Sequence, residues 1–128
     1  MRIMIDTNII ISAWLKPEGR IANLLKQLVA KHEICICTFS IEELQRVVER
    51  KFPQRRETLD TFLQEFSFEL LYTPTALPEN MPAIRDENDY PILVSAMAAD
   101  VDILLTGDKD FTVVDLERPK IATPQDFL

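Results

Sequence analysis

Apolar positions fall along the chain in two rhythms. Short runs, Ile3-Met4-Ile5, Ile34-Cys35-Ile36-Cys37 and Ile103-Leu104-Leu105, have the length and branching of buried strands. Between them Ile21, Leu24, Leu25, Leu28 and Val29 recur at helical spacing, as do Leu59, Phe62, Leu63 and Phe66 behind Pro53, and Ile92 to Ala99 forms an apolar, Ala-rich helix. Strands are expected at 2–6, 34–38, 68–72 and 120–122, besides the one leading to Thr106. Lys16-Pro17-Glu18-Gly19 makes a turn after Ile9-Ile10-Ile11, and another turn begins at Thr123. Thr73 to Pro82 holds three prolines and reads as a loop, either a moving flap or a passive connection. Strands alternating with helices predict an α/β fold of βαβ units.

Four acids fall where strands end and helices begin. Asp6 closes the first apolar run and Asp108 follows the strand to Thr106, while Glu43 is expected in the first turn of a helix and Asp89 at the head of another. In βαβ units the helices run antiparallel to the strands, so strand C-termini and helix N-termini share one edge, which is where open α/β sheets bind ligands. All four carboxylates can converge there. Two ionised carboxylates about 4 Å apart repel by roughly 4 kcal/mol at an effective dielectric near 20. Protonation or a hard divalent cation offsets that, and a carboxylate and water shell suits Mg²⁺ or Mn²⁺. Such an ion would polarise a phosphodiester and generate a nucleophile from water. Local structure offers a competing account: Ser40 and Glu43 have capping-box spacing, Asp89 can be an N-cap and Asp86 a turn residue.

Composition narrows the remaining classes. A length of 128 residues and 47% apolar content are read as one domain, 1–128, with a sizeable core. Two glycines exclude a long glycine-rich phosphate loop. No stretch approaches a membrane span and the N-terminus lacks signal-peptide blocks, so a cytoplasmic protein is expected. Cys35 and Cys37 point to one strand face; with His32 they still lack a fourth zinc ligand. A net charge of −7 argues against binding nucleic acid by bulk charge. Basic residues are nonetheless concentrated at Arg46, Arg50, Lys51, Arg55 and Arg56, and Arg46 and Arg50 share a helical face with Glu43. They are candidates for holding phosphates near the metal, or simply a solvated face balanced by Glu42 and Glu49.

Five segments, in order, resemble the PIN domain family, in the branch described as toxin components of toxin–antitoxin pairs (VapC-like, similar to the PilT N-terminal domain). They are Asp6-Thr7-Asn8-Ile9, Ser40-Ile41-Glu42-Glu43-Leu44, Arg85-Asp86-Glu87-Asn88-Asp89, Leu105-Thr106-Gly107-Asp108-Lys109-Asp110-Phe111 and Thr123-Pro124-Gln125-Asp126-Phe127-Leu128. The resemblance implies a three-layer α/β/α sandwich with a central parallel sheet, Rossmann-like in plan, and a Mg²⁺- or Mn²⁺-dependent endoribonuclease. Asp6, Glu43, Asp89 and Asp108 match the family's acidic positions, Asp110 and Asp86 match additional acids, and Asn8 and Thr106 match polar positions lining the site. Asp6 and Asp108 are then the expected principal metal ligands, with Asp110 beside them, and Glu43 and Asp89 complete the metal's shell through water or position the attacking water. The resemblance further implies an RNA substrate, a small antitoxin that covers the acidic site, and self-association into a homo-oligomer.

Two other readings compete. A haloacid-dehalogenase-like phosphatase also places Asp after its first strand, but Asn8 stands where that family needs a second Asp. The alternative outside enzymology is a catalytically weak PIN-like scaffold that acts by binding another protein.

Overall fold

Ile3 and Ile5 face one side of the first strand and pack with Ile9, Leu24 and Leu44, while Met4 between them faces the other side and packs with Leu93 and Phe111. That period of two, with both faces buried, makes the strand the centre of three layers. The computed structural model describes residues 1–76, 89–111 and 116–127. Its elements are β1 (Arg2–Ile5), α1 (Thr7–Leu15), α2 (Arg20–Lys31), β2 (Glu33–Cys37), α3 (Thr38–Lys51), α4 (Arg56–Glu65), β3 (Glu69–Leu71), α5 (Tyr90–Ala98), β4 (Ile103–Leu105) and β5 (Lys120–Ala122).

The strands form one sheet in the order β3-β2-β1-β4-β5, and every pairing is parallel. From β1 the chain builds outward through β2 to β3, then returns to the far side of β1 for β4 and β5. Right-handed crossovers in opposite directions place helices on opposite faces. Accordingly α1 to α4 supply Trp14, Leu28, Val48 and Leu59 to the core on one face, and α5 supplies Ile92, Leu93 and Ala96 to the other. This is the expected α/β/α sandwich. The strand order reverses between β1 and β4, and open α/β sheets bind ligands in the crevice at the carboxyl ends of the strands at such a point.

Two local expectations change. Residues 7–15, assigned no element from the sequence beyond the apolar Ile9-Ile10-Ile11, form α1, with Ile9, Ile10, Ala13 and Trp14 buried and Ile11 and Leu15 partly so. Only Asn8 and Ser12 are exposed in this short helix, a polar stripe too narrow to reveal its period. The capping box at Ser40 is not formed: β2 runs directly into α3, whose N-cap is Cys37, and the fully buried Ser40 hydroxyl accepts a bond from the Cys37 thiol at 3.4 Å. Glu43 therefore lies in the second turn of α3, not the first. The loop expected at 73–82 is described only as far as 76, where it is irregular.

Candidate metal centre

Asp6 is the first residue beyond β1, and its extended backbone makes it the N-cap of α1. Its Oδ1 accepts from the Thr7 N–H at 2.7 Å, and its Oδ2 accepts from the Thr106 hydroxyl at 2.6 Å. The carboxyl is only 2% exposed. Burial pushes its pKa up to about 6, the two hydrogen bonds oppose that rise, and the charges of Glu43 and Asp108 add to it.

Thr106, the first residue past β4, is fully buried and connects the two sides of the crevice. While its hydroxyl donates to Asp6, it accepts from the Asp108 N–H at 3.0 Å. Asp108 Oδ1 in turn accepts from the Asp110 N–H at 2.9 Å, which folds Lys109–Phe111 into a single 3-10 turn. The turn aims two acids at the rim, and Phe111 anchors it in the core beneath. Asp89 arrives from the start of α5, where it stands at the N-cap in an αR conformation and makes no side-chain capping bond.

One carboxylate oxygen from each of Asp89, Asp108 and Asp110 lies within 4.8 Å of the others. Three oxygen donors at that separation, with no imidazole or thiolate among them, fit a hard divalent cation such as Mg²⁺ or Mn²⁺. All three are among the acids expected at the metal, although the expected principal pair is Asp6 with Asp108. Asp89 and Asp110 are drawn together with Asp108, while Asp6 stands outside the trio, bonded across Thr106. Glu43 is partly buried on α3 and reaches the group through its charge on Asp6.

The accessory positions divide. Asn8 is exposed in the first turn of α1, and Asp86 lies outside the described residues. Arg46 and Arg50 are exposed on α3; the Arg46 guanidinium lies 6.0 Å from the Phe39 ring centre, and Glu49 pairs with Arg56 at 2.9 Å instead of balancing them. Cys35 and Cys37 are buried on the α5 face of the sheet as expected. His32 precedes β2 at the opposite edge, 3.3 Å from the N-terminal amine. Sequence reasoning passed over Arg20 and Lys109, which line a cavity of about 460 Å³ beside the acids. A lone arginine at a helix start carries no distinguishing spacing, and Lys109 was hidden among the aspartates around it.

A PIN domain family model matches residues 2–110, from β1 through the acidic turn. The chain belongs to the PIN domain family. No curated protein matches it. Among solved structures, a chain in the crystal structure of VapBC2 from Rickettsia felis bound to a DNA fragment from their promoter superposes with a TM-score of 0.72 at 22% identity. The match covers 96% of this chain and 98% of that one. In this PIN domain the crevice between β1 and β4, where open parallel sheets bind ligands, is also where the acids gather. Among the described residues no helix is long and apolar enough to cross a membrane.

Proposed function

We propose that this PIN domain is a metal-dependent endoribonuclease and acts as the toxin of a type II toxin–antitoxin pair in the cytoplasm. The observation that carries the reading is the meeting of Asp89, Asp108 and Asp110 within 4.8 Å at the edge where the strand order reverses, in a PIN family chain. Asp89, Asp108 and Asp110 would hold Mg²⁺ or Mn²⁺, with Asp6 as the fourth acid across Thr106. When bound, the ion supplies charge neutralisation for a phosphodiester and lowers the pKa of water.

The protein's own groups complete the chemistry. Thr106 fixes the Asp6 carboxyl in one orientation toward the acidic turn. Glu43 orients the attacking water on the α3 side. Arg46 and Arg50 hold flanking phosphates on the face they share with Glu43. Attack in line at phosphorus leaves a 5′-phosphate and a 3′-hydroxyl.

The toxin role draws on the fold shared with a chain of a VapBC2 assembly. Its partner would be a short antitoxin that covers the acidic edge with a basic side chain. We take residues 1–128 as one domain that self-associates. Induced expression of the chain, followed by transcriptome-wide mapping of 5′-phosphate ends, tests this function. Growth arrest with new ends for the wild type and neither for Asp108→Asn is the expected outcome. Equal arrest by both, with no new ends, would assign the effect to protein binding and favour the scaffold.

A further inference from the structure

On the β5 side of the acidic turn lies a cavity of about 460 Å³, within the roughly 300–1,000 Å³ range of small-molecule sites. Arg20 and Ile21 from the start of α2, Gly107 and Lys109 from the turn after β4, and Thr123 and Gln125 after β5 form its walls. All three segments belong to the edge that carries the acids. Two of these side chains are cationic and none is a carboxylate. Among the described residues, no acid pairs with Arg20.

Gly107 supplies an independent observation. It is one of only two glycines, and neither has a positive φ. A Cβ at Gly19 would crowd the Lys16 carbonyl at 3.2 Å, but at Gly107 it would meet only Ile9 Cδ1 at an ordinary 3.8 Å. Neither backbone conformation nor internal packing requires glycine at 107. Gly107 lines the cavity, so a side chain there would take up part of its space. Glycine in such a place allows backbone and ligand to approach closely.

We infer that this cavity is a subsite for one ribose-phosphate unit of single-stranded RNA next to the scissile bond; the inference rests on the ribonuclease reading above. A protein of net charge −7 that draws a polyanion to an acidic centre needs local positive charge beside it, and Arg20 and Lys109 provide it. The phosphate lies between these two cations, and the sugar passes over Gly107. Contacts of this kind set the register of the strand without reading its sequence.

The test is binding of a labelled, unstructured RNA oligonucleotide to the metal-free protein across a salt series, with cleavage by the same proteins in Mn²⁺ measured separately. Arg20→Ala should weaken binding about tenfold and lower the salt slope by about 0.7, the value of one single-strand phosphate contact. Gly107→Val should weaken binding about fivefold and leave that slope unchanged, because it fills space without removing charge. The control is Arg118→Ala, which removes a cation paired with Asp100 and Asp102 at the opposite sheet edge. Equal losses in Arg20→Ala and Arg118→Ala would reduce the effect to bulk charge and overturn the subsite. Wild-type affinity in both cavity variants would overturn it too, even with cleavage intact. Cavity-dependent binding without cleavage by the wild type would support the subsite and sink only the nuclease reading.

Discussion

Asp6 and Thr106 stand 100 positions apart in the chain and 2.6 Å apart in space, joined by a hydrogen bond between two buried groups. Adjacent parallel pairing of β1 with β4 produces that meeting, because Ile5 is in register with Leu105 and each polar residue is the first beyond its strand. The same hydroxyl accepts from the Asp108 N–H, so a single oxygen ties the first acid of the chain to the turn carrying the last two of the site.

Replacing Thr106 with Val keeps the shape and deletes this link. The Asp6 carboxyl loses a donor and the Asp108 N–H loses its acceptor. Urea denaturation should show a loss of roughly 1–3 kcal/mol. Mn²⁺ affinity should fall as the turn loosens, and Thr106→Ser should restore both. A stable Val variant with unchanged metal affinity would make the hydroxyl dispensable.

Asp6 makes the metal-free protein less stable as pH rises. Its pKa is about 6 in the folded state against 3.8 for the free group, so below 3.8 it is protonated in both states and imposes no penalty. Between 3.8 and about 6 the unfolded chain has released its proton while the folded one retains it, and stability falls through that window. A shift of this size amounts to roughly 3 kcal/mol. Asp6→Asn should flatten that part of the pH–stability curve and raise the urea midpoint at neutral pH. Its amide can donate to Thr106 while its carbonyl accepts from Thr7. Parallel curves for the two proteins would show that Asp6 is not strained by burial.

Mn²⁺ should stabilise the folded protein by about 2.7 kcal/mol at a hundred times its Kd, read as a rise in Tm. Asp89→Asn and Asp110→Asn each remove one of the three clustered donors, and each should weaken binding at least tenfold. An undiminished thermal shift in either variant would exclude that carboxylate from the ion.

Glu43 separates a chemical role from a structural one. It lies in the second turn of α3, and the first-turn Phe39 N–H is met by the Thr73 hydroxyl instead, so Glu43→Gln should change stability by no more than about 0.5 kcal/mol. Cleavage should drop about a hundredfold, as expected on losing a group that orients or deprotonates water. A large loss of stability with cleavage retained would mark Glu43 as structural.

The parallel α/β plan and the shared edge of acids were legible because buried strands and amphipathic helices leave periods in the chain, and topology converts those periods into position. What escaped was set by contacts between distant segments. Helix α1 is buried around most of its circumference, and its exposed polar stripe is only Asn8 and Ser12. Ser40 and Glu43 have the spacing of a capping box, yet the packing of β2 into α3 starts the helix earlier and turns Ser40 toward Cys37. The four acids at the rim could be recognised from their place after strands and before helices. That Asp110 joins Asp89 and Asp108 ahead of Asp6 depends on the turn closed by the Asp108–Asp110 bond, which spacing does not disclose.

The most direct test of the metal nuclease is cleavage of a panel of single-stranded and hairpin RNAs by purified protein in Mn²⁺, in EDTA and as the Asp108→Asn variant. The expected result is cleavage by the wild type in Mn²⁺ alone, leaving 5′-phosphate ends. Cleavage that persists in EDTA or in Asp108→Asn, or none by wild-type protein shown to bind Mn²⁺ at Asp89, Asp108 and Asp110, would contradict it.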